Sequence, residues 1–570
     1  MVSTPSRILE RIPPSMHHPS RLRLVVPCGM LAVASVAAMA QVPAAPTCVV
    51  DTLSTEFPAA WLGTRVGALT VVSGDVDTPS ERLTAIARRL HRSTRFDVVS
   101  SELSFRPGQT VDSLQILESL RRLRATSLFT DVVLEGRRCG DPSQTDFAIR
   151  TRDAWSTRAA IQLSAGGRSL LSIRETNLLG SGRTLSAGVE ETYGRRALSF
   201  GLADPYLLGT PIHSAVLLRS YVDGRGWQWS LQSHERSPRD TWRFALTSAQ
   251  LRRFGTDIAR NTETDITRRN TAFTVSRRIA DGADAAYAIV VGAEQELTNV
   301  QVAQPGLVLG GKAARRKFAA PLAGLSRRST RFRSVDWLVP NQAPAEIPIG
   351  LEGEIVGSVG QESFTRNPLA HWDAWIGGTA LLSSGVVFTA DIWSSGYRTR
   401  DSLSNVAVRA STALVARAWR GLWLVRATAE RILDPDPDVY ALSTIDPMLR
   451  TLSPASRLAE RALAVSAERA IALYSSEGRW ALEGAAFASW SERGRTLDAT
   501  GTPTRNLQAA VVGIGLRQVS SQPTRAPLRL DIGRTVMRSN GLPNRWIVTL
   551  TATPWISAGR TRDGLRAAVR

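Results

Sequence analysis

The feature that most constrains this chain is a strand-like pattern that occupies most of its 570 residues. From Trp155 onward, apolar and polar residues alternate in short runs separated by turn residues, which is the period of a β-strand with two different faces. In WIVTLTAT, for example, Val548, Leu550 and Ala552 alternate with threonines. No apolar run in this stretch approaches the ~20 residues that a membrane-spanning helix needs. We therefore expect a long series of antiparallel strands.

Two architectures fit such a series: a set of soluble β-sandwiches or one closed membrane barrel. A sandwich protein of this length would contain several domains, yet the stretch has no linker that would separate them. In a membrane barrel the apolar face meets lipid, the polar face lines the lumen, and closure leaves no unpaired edge. The pattern therefore favours a transmembrane β-barrel over residues 154–555. At about 26 residues for each strand and its loop, about 16 antiparallel strands are expected.

The N-terminus has the organisation of a secretory signal peptide. In RLRLVVPCGMLAVASVAAMA (21–40), basic residues precede an apolar run that ends in Ala-Met-Ala, a small-residue cleavage pattern. An N-terminal membrane anchor is the alternative, but the run is short and ends in small residues. We expect residues 1–40 to be the signal peptide, the mature chain to begin near Gln41, and residues 41–66 to form an N-terminal segment.

Export also determines how the cysteines are interpreted. Cys28 leaves with the predicted signal peptide, so Cys48 and Cys139 remain. An exported chain meets an oxidising compartment, where an even number of cysteines predicts a disulfide. We expect Cys48 to be joined to Cys139, which lies in the loop RRCGDPSQ. Two unpaired thiols are the alternative.

Residues 67–153 carry helical as well as strand-like patterns. In DSLQILESLRRLRA, Leu114, Leu117, Leu120 and Leu123 recur at helical spacing. The expected elements, in chain order, are a strand at 68–74, helices at 80–94 and 112–125, and strands at 129–136 and 146–153. This order predicts a compact α+β domain in front of the all-β barrel.

The chain is strongly basic, with 70 Lys and Arg against 50 Asp and Glu and a net charge of +20. Almost all of these cations are arginines, because lysine occurs only at Lys312 and Lys317. A nucleic-acid-binding protein would gather its cations into a patch or an arm, whereas these arginines are spread singly along the chain. We therefore expect no nucleic-acid partner.

No pattern of reactive residues predicts catalysis. The chain has 6 histidines, too few to predict a metal-ligand cluster. It lacks a Gly-x-Ser-x-Gly elbow, a phosphate-binding loop and a Cys-x-x-Cys pair. Paired acids such as Glu190 and Glu191 lie in a strand or turn context and are expected to be solvated. We expect no catalytic residue, no metal site and no cofactor, and a protein that is not an enzyme.

A set of motifs, taken in chain order, resembles a known superfamily. LHRSTRFDVVSSELSFRPGQTVD (90–112), followed by ESLRRLR and FTDVVLE, is similar to a periplasmic POTRA repeat, and TRDAWST (151–157) resembles the junction into a first barrel strand. NLLGSGRTLSAG (177–188) and DPYLLGTP (204–211) are similar to the turns that follow. Each motif alone is weak, because Gly and Asp-Pro turns are common. In this order they resemble the outer-membrane β-barrel assembly and secretion superfamily, which includes BamA, TamA, two-partner-secretion transporters and bacterial surface antigens.

The resemblance implies a single POTRA domain at residues 67–153 in the periplasm and a 16-stranded barrel in the bacterial outer membrane. The last alternating strand ends at Trp555, so residues 556–570 are expected to form a basic C-terminal tail.

Members of this superfamily carry a long extracellular loop that folds back into the lumen and bears a Val-Arg-Gly-aromatic tetrad. The matching positions are Leu449, Arg450, Thr451 and Leu452, of which only the arginine agrees with the motif. A guanidinium inside a lumen needs a carboxylate or carbonyl partner, and Glu468 on the following strand is the candidate. The alternative is that Arg450 is one more lumenal arginine.

The resemblance also implies a function, the assembly and insertion of other outer-membrane proteins. An extended client would pair with a POTRA strand by β-augmentation and with a seam between the first barrel strand, near 158–166, and the last, near 545–555. Gly166, Gly167 and Pro554 would weaken the ends of that seam.

The implied partners are unfolded outer-membrane or secreted polypeptides, outer-membrane lipid and lipopolysaccharide, and periplasmic or lipoprotein accessory factors. Three alternatives stay open: a polypeptide transporter of the two-partner-secretion type, a divergent surface-antigen barrel with a structural or transport role, and a soluble basic protein.

Overall fold

The protein was analysed as a computed structural model. The structure describes residues 48–53, 57–74, 92–126, 128–164, 168–192, 195–234, 237, 239–257, 262–303, 314–338, 345–434, 459–476, 480–496, 506–520, 528–539 and 546–552. The predicted signal peptide, most of the predicted helix at 80–94 and the predicted C-terminal tail lie outside these residues.

The first part of the described chain is an α/β domain, called here the N-terminal domain. Its mixed four-stranded sheet has the order β1-β3-β4-β2, in which β2 runs parallel to β4 and the other pairs are antiparallel. The sheet takes in a strand from the 41–66 segment that the sequence analysis had set apart. The elements are β1 Cys48–Thr52, β2 Arg65–Gly74, α1 Phe96–Ser101, α2 Ser113–Ala125, β3 Phe129–Cys139 and β4 Gln144–Asp153.

Helix α2 shows how local sequence and packing combine in this domain. The Asp112 side chain caps its N-terminus by accepting hydrogen bonds from the backbone amides of Leu114 and Gln115. The helix buries Ile116, Leu120 and Leu123 in the domain core, a spacing of four and then three residues. Leu114 and Leu117, which the sequence analysis placed on this face, are exposed, because Ile116 occupies the position that faces the sheet.

The rest of the described chain forms a closed antiparallel barrel. Within the described residues it has 20 strands, so the expected number of 16 is wrong. The physical reason is that strands β5 to β10 are only 8 to 11 residues long and short turns join them. The barrel strands are β5 Thr157–Ser164, β6 Arg168–Leu178, β7 Arg183–Thr192, β8 Arg195–Asp204, β9 Ile212–Tyr221, β10 Gly224–Ser233, β11 Trp242–Asp257, β12 Thr262–Asp281, β13 Ala285–Ala303, β14 Ala314–Ser329, β17 Gly350–Glu362, β18 Pro368–Ser383, β19 Val386–Arg398, β20 Leu403–Ala418, β21 Gly421–Leu433, β22 Ala459–Ser476, β23 Trp480–Thr496, β24 Leu507–Ser520, β25 Leu528–Arg538 and β26 Trp546–Ala552.

Each barrel strand pairs with its neighbour in the chain, with one exception. Between β14 and β17 the chain makes a separate two-stranded hairpin, β15 Phe332–Val335 and β16 Ala345–Pro348, and β14 pairs directly with β17. We call the end of the barrel where β5 begins, next to the N-terminal domain, the proximal end, and the other the distal end. Because the strands alternate in direction, the β15–β16 hairpin lies at the proximal end.

The two faces of the barrel wall differ in chemistry, as the alternating pattern predicts. On β25 and β26, Leu530 and Val548 are exposed on the outside, whereas Asp531 and Thr549 are buried inside. Similar outward apolar residues occur around the wall, including Leu171, Ile173, Phe200, Leu218, Phe273, Ile289, Val291, Leu325, Ile355, Ile376, Ile392, Val425, Val465 and Ile514. An apolar belt of this extent is the surface that a lipid bilayer covers. Of the described helices, none is long and apolar enough to cross a membrane.

The belt can be tested at Ile392, which lies at the middle of β19 and is 52% exposed. An arginine there would place a charge in the hydrocarbon layer, so Ile392→Arg should lower the free energy of unfolding by about 2–4 kcal/mol. Urea unfolding in lipid vesicles measures the change. Ser395→Arg on the inward face of the same strand is the matched control and should cost less. If the two variants lowered the free energy of unfolding equally, the assignment of the outer and inner faces of β19 would be contradicted.

Candidate functional site

The proximal turn between β6 and β7, which contains the NLLGSG motif, binds the N-terminal domain. The buried Asn177 side chain donates to Thr94 Oγ1 at 2.9 Å and accepts from the backbone amide of Gly182 at 2.8 Å. The carbonyl oxygen of Gly180 accepts from the amide of Arg95 at 2.9 Å. Thr94 is held in turn by its own amide, which donates to the buried Asp153 carboxylate at 2.7 Å. This turn is therefore part of the junction between domain and barrel.

The next proximal turn, which contains the DPYLLG motif, reaches further into the domain. Tyr206 is buried as a member of the domain's hydrophobic core, and its hydroxyl donates to the Glu102 carboxylate. The turn is held by Asp204, whose carboxylate accepts from the Tyr206 amide at 2.9 Å and pairs with Arg183 at 2.8 Å. The aromatic residue of this motif thus fastens the barrel to the domain.

The second leucine of each motif has a different role from its neighbours. Leu179 and Leu208 adopt left-handed backbone conformations, with φ of 56° and 54°, and are 74% and 88% exposed. A left-handed conformation costs an L-residue about 1–2 kcal/mol. Both side chains therefore project from the proximal rim, whereas Gly180, which follows Leu179, permits the close approach of the domain.

Glu102, which caps the C-terminus of α1, is the centre of the junction. It is buried between Tyr206, His234 of the β10–β11 turn and Arg122 of α2, with His234 Nε2 at 3.3 Å and Arg122 Nε at 3.6 Å. Burial acts to raise the pKa of this carboxyl, but the hydrogen bonds and charge of its partners outweigh burial and lower the pKa below its usual value. The sequence alone did not identify Glu102, Arg122 or His234 as junction residues. Only Tyr206, in the DPYLLG motif, lies in a stretch that the sequence singled out.

Inside the lumen, buried charges form clusters that span several strands. Glu294 pairs with His371 at 2.8 Å. Glu296 pairs with Arg316 at 3.2 Å and accepts from the Tyr397 hydroxyl at 2.5 Å. On the next two strands around the ring, Arg409 of β20 and Glu430 of β21 form a pair at 3.0 Å. Such pairs compensate charges that burial would otherwise leave without a partner.

The sequence-predicted Glu468 belongs to a further cluster near the seam. It is buried and makes an ion pair with Arg517 of β24 and another with Arg529 of β25, the latter at 2.9 Å. Glu483 lies 4.0 Å from Arg517, and Asp531 accepts from Thr549 of β26 at 3.5 Å. The predicted loop motif, Leu449, Arg450, Thr451 and Leu452, lies outside the described residues. Among the described residues, the wall itself supplies the cations for Glu468.

The barrel closes between its last and first strands with the shortest register in the described wall. Among the described residues, strand β26 pairs with β5 through Thr549 with Ser164, Leu550 with Leu163 and Thr551 with Gln162. The β25–β26 register on one side covers seven residue pairs and the β5–β6 register on the other covers eight. Gly166, Gly167 and Pro554, predicted to weaken this seam, lie outside the described residues.

The remaining predicted residues are placed as follows. A disulfide joins Cys48 to Cys139 across the β1–β3 pair, with a Cα–Cα distance of 4.3 Å. Among the residues that the structure describes, no group of three or more His, Cys, Asp or Glu side chains is arranged to hold a metal ion. A lumenal cavity of about 50 Å³ lies beside Glu296, Tyr397 and Asp373, which is room for water.

No family model matches this chain, and no curated protein matches it either. Among solved structures, it is similar to BamA from Haemophilus ducreyi lacking POTRA domains 1–3, with a TM-score of 0.32 at 10% identity over 85% of this chain and 84% of that one. It is similar to CdiB from Escherichia coli, with a TM-score of 0.41 at 11% identity over 88% and 80%.

The siderophore receptor PirA from Pseudomonas aeruginosa also matches, with a TM-score of 0.31 at 10% identity over 74% of this chain and 86% of that one. Scores this low do not separate one kind of barrel from another, and the barrel assignment rests on the register and on the two faces of the wall.

The close approach of the domain to the β6–β7 turn can be tested with two glycines of similar conformation. Gly180 and Gly209 have φ of +75° and +76°, but a Cβ on Gly180 would lie 2.4 Å from the Ser93 carbonyl oxygen, whereas one on Gly209 would meet nothing within 4 Å. Both Gly→Ala changes carry the left-handed strain, so Gly180→Ala should destabilise the junction more. Hydrogen exchange at residues 92–101 measures the difference; equal effects would exclude a tight contact.

Glu102 makes the junction sensitive to acid. Because its pKa is lowered in the folded protein, its contribution is complete above the ordinary glutamate pKa of about 4.3 and is lost as the pH falls through the lowered folded value. Glu102→Gln should remove this dependence and weaken the junction by about 1.5–3 kcal/mol.

Hydrogen exchange at the 206–211 turn, followed against pH and corrected for intrinsic rates, measures the effect. Glu135→Gln is the matched control, because the pKa of Glu135 is also lowered, chiefly by its hydrogen bond with Arg150, but it lies on β3 away from the junction. An unchanged pH profile in Glu102→Gln would contradict this role.

In overall structure the chain is an α/β domain joined to a large antiparallel barrel, and it is structurally similar to the BamA and CdiB outer-membrane barrels.

Proposed function

We propose that this protein is an outer-membrane assembly or insertion factor that receives unfolded barrel polypeptides as clients. The observation that carries the proposal is the seam between β5 and β26. In hydrocarbon, an unpaired backbone N–H or C=O group costs several kcal/mol, so a long register is the stable way to close a barrel. The seam, with three residue pairs among the described residues, is the place where a client strand can exchange with the wall at the least cost.

The cluster around Glu468 supports this location. Its members lie on β22 to β26, so the wall on one side of the seam is braced by ion pairs between strands. The braced side can remain intact while the short register opens. The client would then form main-chain hydrogen bonds with the exposed edge, which is β-augmentation.

The N-terminal domain completes the proposal. From β2 onward its described elements follow the strand, helices, strand, strand order of a POTRA-like unit, and it is docked on the proximal turns beside the start of β5. We assign it to the periplasm, where it would present clients to the seam. Lipid, lipopolysaccharide and accessory lipoproteins are the further partners proposed, and no enzymatic activity is assigned.

A polypeptide transporter of the two-partner-secretion kind is the second candidate. The hairpin β15–β16 favours it, because side chains of the hairpin pack on the inward face of the wall at the proximal mouth, where a path through the lumen would begin. The two functions differ in what is lost on depletion. An assembly factor leaves many outer-membrane proteins unassembled, whereas a transporter leaves one secreted partner inside the cell.

The seam can be locked by a disulfide. Leu163 and Leu550 are register partners across the seam, so Leu163→Cys with Leu550→Cys should cross-link β5 to β26. Assembly of client barrels should stop under oxidising conditions and resume after reduction.

The matched control shares one of the two positions. Leu530 is the register partner of Leu550 on the other side of β26, so Leu530→Cys with Leu550→Cys locks a pair that need not open, and assembly should continue. Client assembly that continues with the seam covalently locked would refute the proposal.

A further inference from the structure

A group of exposed cations lies on the outer face of β10 to β14, and we call it the distal basic patch: Arg225, Arg252, Arg269, Arg315 and Lys317. Alternation along each strand places these side chains on the outside. Arg269 is an even number of residues from the outward Phe273 on β12, and Lys317 is an even number from the outward Leu325 on β14. Arg252 shares the face of Leu246, which is the register partner of Phe273.

Polar and aromatic side chains fill the spaces between these cations. One row of register partners from β10 to β14 reads Arg225, Arg252, Thr267, Asn299 and Arg315. The next row on its proximal side reads Trp227, Gln250, Arg269, Leu297 and Lys317. The patch therefore presents positive charges beside hydroxyl and amide groups that can form hydrogen bonds with a sugar.

The patch lies at the distal margin of the apolar belt. On β14, Lys317 and Arg327 are ten residues apart on one face, which is about 34 Å along the strand and about 26 Å across the bilayer at a tilt of about 40°. Arg252 and Trp242 have the same separation on β11. Trp242 and Tyr287, whose hydroxyl accepts from Arg327 Nε at 3.3 Å, mark the proximal margin, since aromatic residues line the borders of the belt. The cations of the patch are thus at the level of the headgroups at the distal side.

The two margins differ in how their outward cations are compensated. At the proximal margin, Arg277 lies 5.1 Å from the centre of the Trp242 ring, and Arg327 pairs with Asp284 at 3.5 Å. Among the side chains that the structure describes, no cation of the distal basic patch forms an ion pair. The acid Asp265 lies further toward the distal end of β12. The patch therefore keeps an excess of positive charge.

Two cations of the patch lie directly opposite each other. Arg225 and Arg252 are register partners on neighbouring strands, and like charges in this position destabilise a sheet. An anion bound between the two guanidinium groups would remove the repulsion, because arginine binds phosphate through two parallel hydrogen bonds.

The ligand that fits the patch is anionic at one end and apolar at the other. Immediately on its proximal side the wall presents the apolar belt, including Leu246 and Phe273, on which acyl chains can lie. The patch extends over four strand spacings, about 19 Å, which is wider than a single phosphate group. These features fit a glycolipid that carries phosphates at both ends of its sugar core.

We propose that the distal basic patch binds the phosphorylated sugar headgroup of lipopolysaccharide, the part called lipid A. Arg225 and Arg252 hold one phosphate. Arg269, Arg315 and Lys317 hold the other. The site rests on the proposed placement in the outer membrane with the N-terminal domain in the periplasm, which puts the distal end in the outer leaflet, and it does not involve the seam.

Native mass spectrometry of the purified full-length protein in detergent micelles tests the site with lipid A, with lipid A after removal of its phosphates, and with phosphatidylglycerol. The wild type should bind lipid A at least tenfold more tightly than the other two. Arg252→Gln with Arg269→Gln and Arg315→Gln should abolish this preference. Arg277→Gln with Arg327→Gln, on the same face of β12 and β14 but at the proximal margin, is the matched control and should retain it.

A second measurement separates ligand binding from a structural role, and it keeps the test decisive if the triple variant does not fold. Without lipid A, Arg252→Gln should leave the urea midpoint unchanged or raise it, because the repulsion with Arg225 is removed. Added lipid A should raise the midpoint of the wild type and raise that of Arg252→Gln less. A variant with a lowered midpoint and the full response to lipid A would show a structural role and overturn the site.

Equal binding of lipid A by the wild type and the triple variant would also overturn the site. Equal binding after removal of the phosphates, or equal binding of phosphatidylglycerol, would overturn the choice of ligand. So would displacement of lipid A by an equal concentration of inorganic phosphate, which would leave a site for free phosphate. No client polypeptide is present in these measurements, so their failure is distinguishable from failure of the proposed assembly function.

Discussion

The structure depends on one requirement, that every backbone N–H and C=O group facing the bilayer must find a partner within the wall. Twenty described strands meet it by pairing around a closed ring, and the apolar outer residues follow from closure because lipid is then the only solvent of that face. The lumen takes the opposite chemistry. Its buried charges occur in cross-strand pairs such as Arg409 with Glu430, since a lone ion there would lose its hydration without compensation.

The same requirement makes the seam the exceptional place in the wall. Among the described residues, the three residue pairs between β5 and β26 lie between registers of seven and eight pairs, and the ion pairs of Glu468, Arg517 and Arg529 brace the strands on one side. The proposed exchange with a client strand needs this combination. A barrel with uniform registers would resist opening everywhere, whereas one without a braced side would lose its shape on opening.

The N-terminal domain is joined to the barrel through two kinds of contact. One is made with short turns, where Asn177, Tyr206 and Glu102 are buried and specific. The other is made with the β15–β16 hairpin, where Arg124 of the domain and Glu346 of the hairpin are partly exposed. Buried, fully paired contacts hold a position, and partly exposed ones break at lower cost. The domain is therefore held more firmly at the turns than at the hairpin.

The sequence by itself determined what depends on local period. It predicted the two-faced strands from Trp155 onward, the α/β pattern before them and the turns at NLLGSG and DPYLLG, because side-chain alternation and turn chemistry are set by neighbours in the chain. Only the tertiary structure decided the number of strands, the partners of Glu468, the burial of Glu102 and the position of the hairpin. Each of these brings together residues that are far apart in sequence, and alternation carries no information on which strand lies opposite which across a lumen.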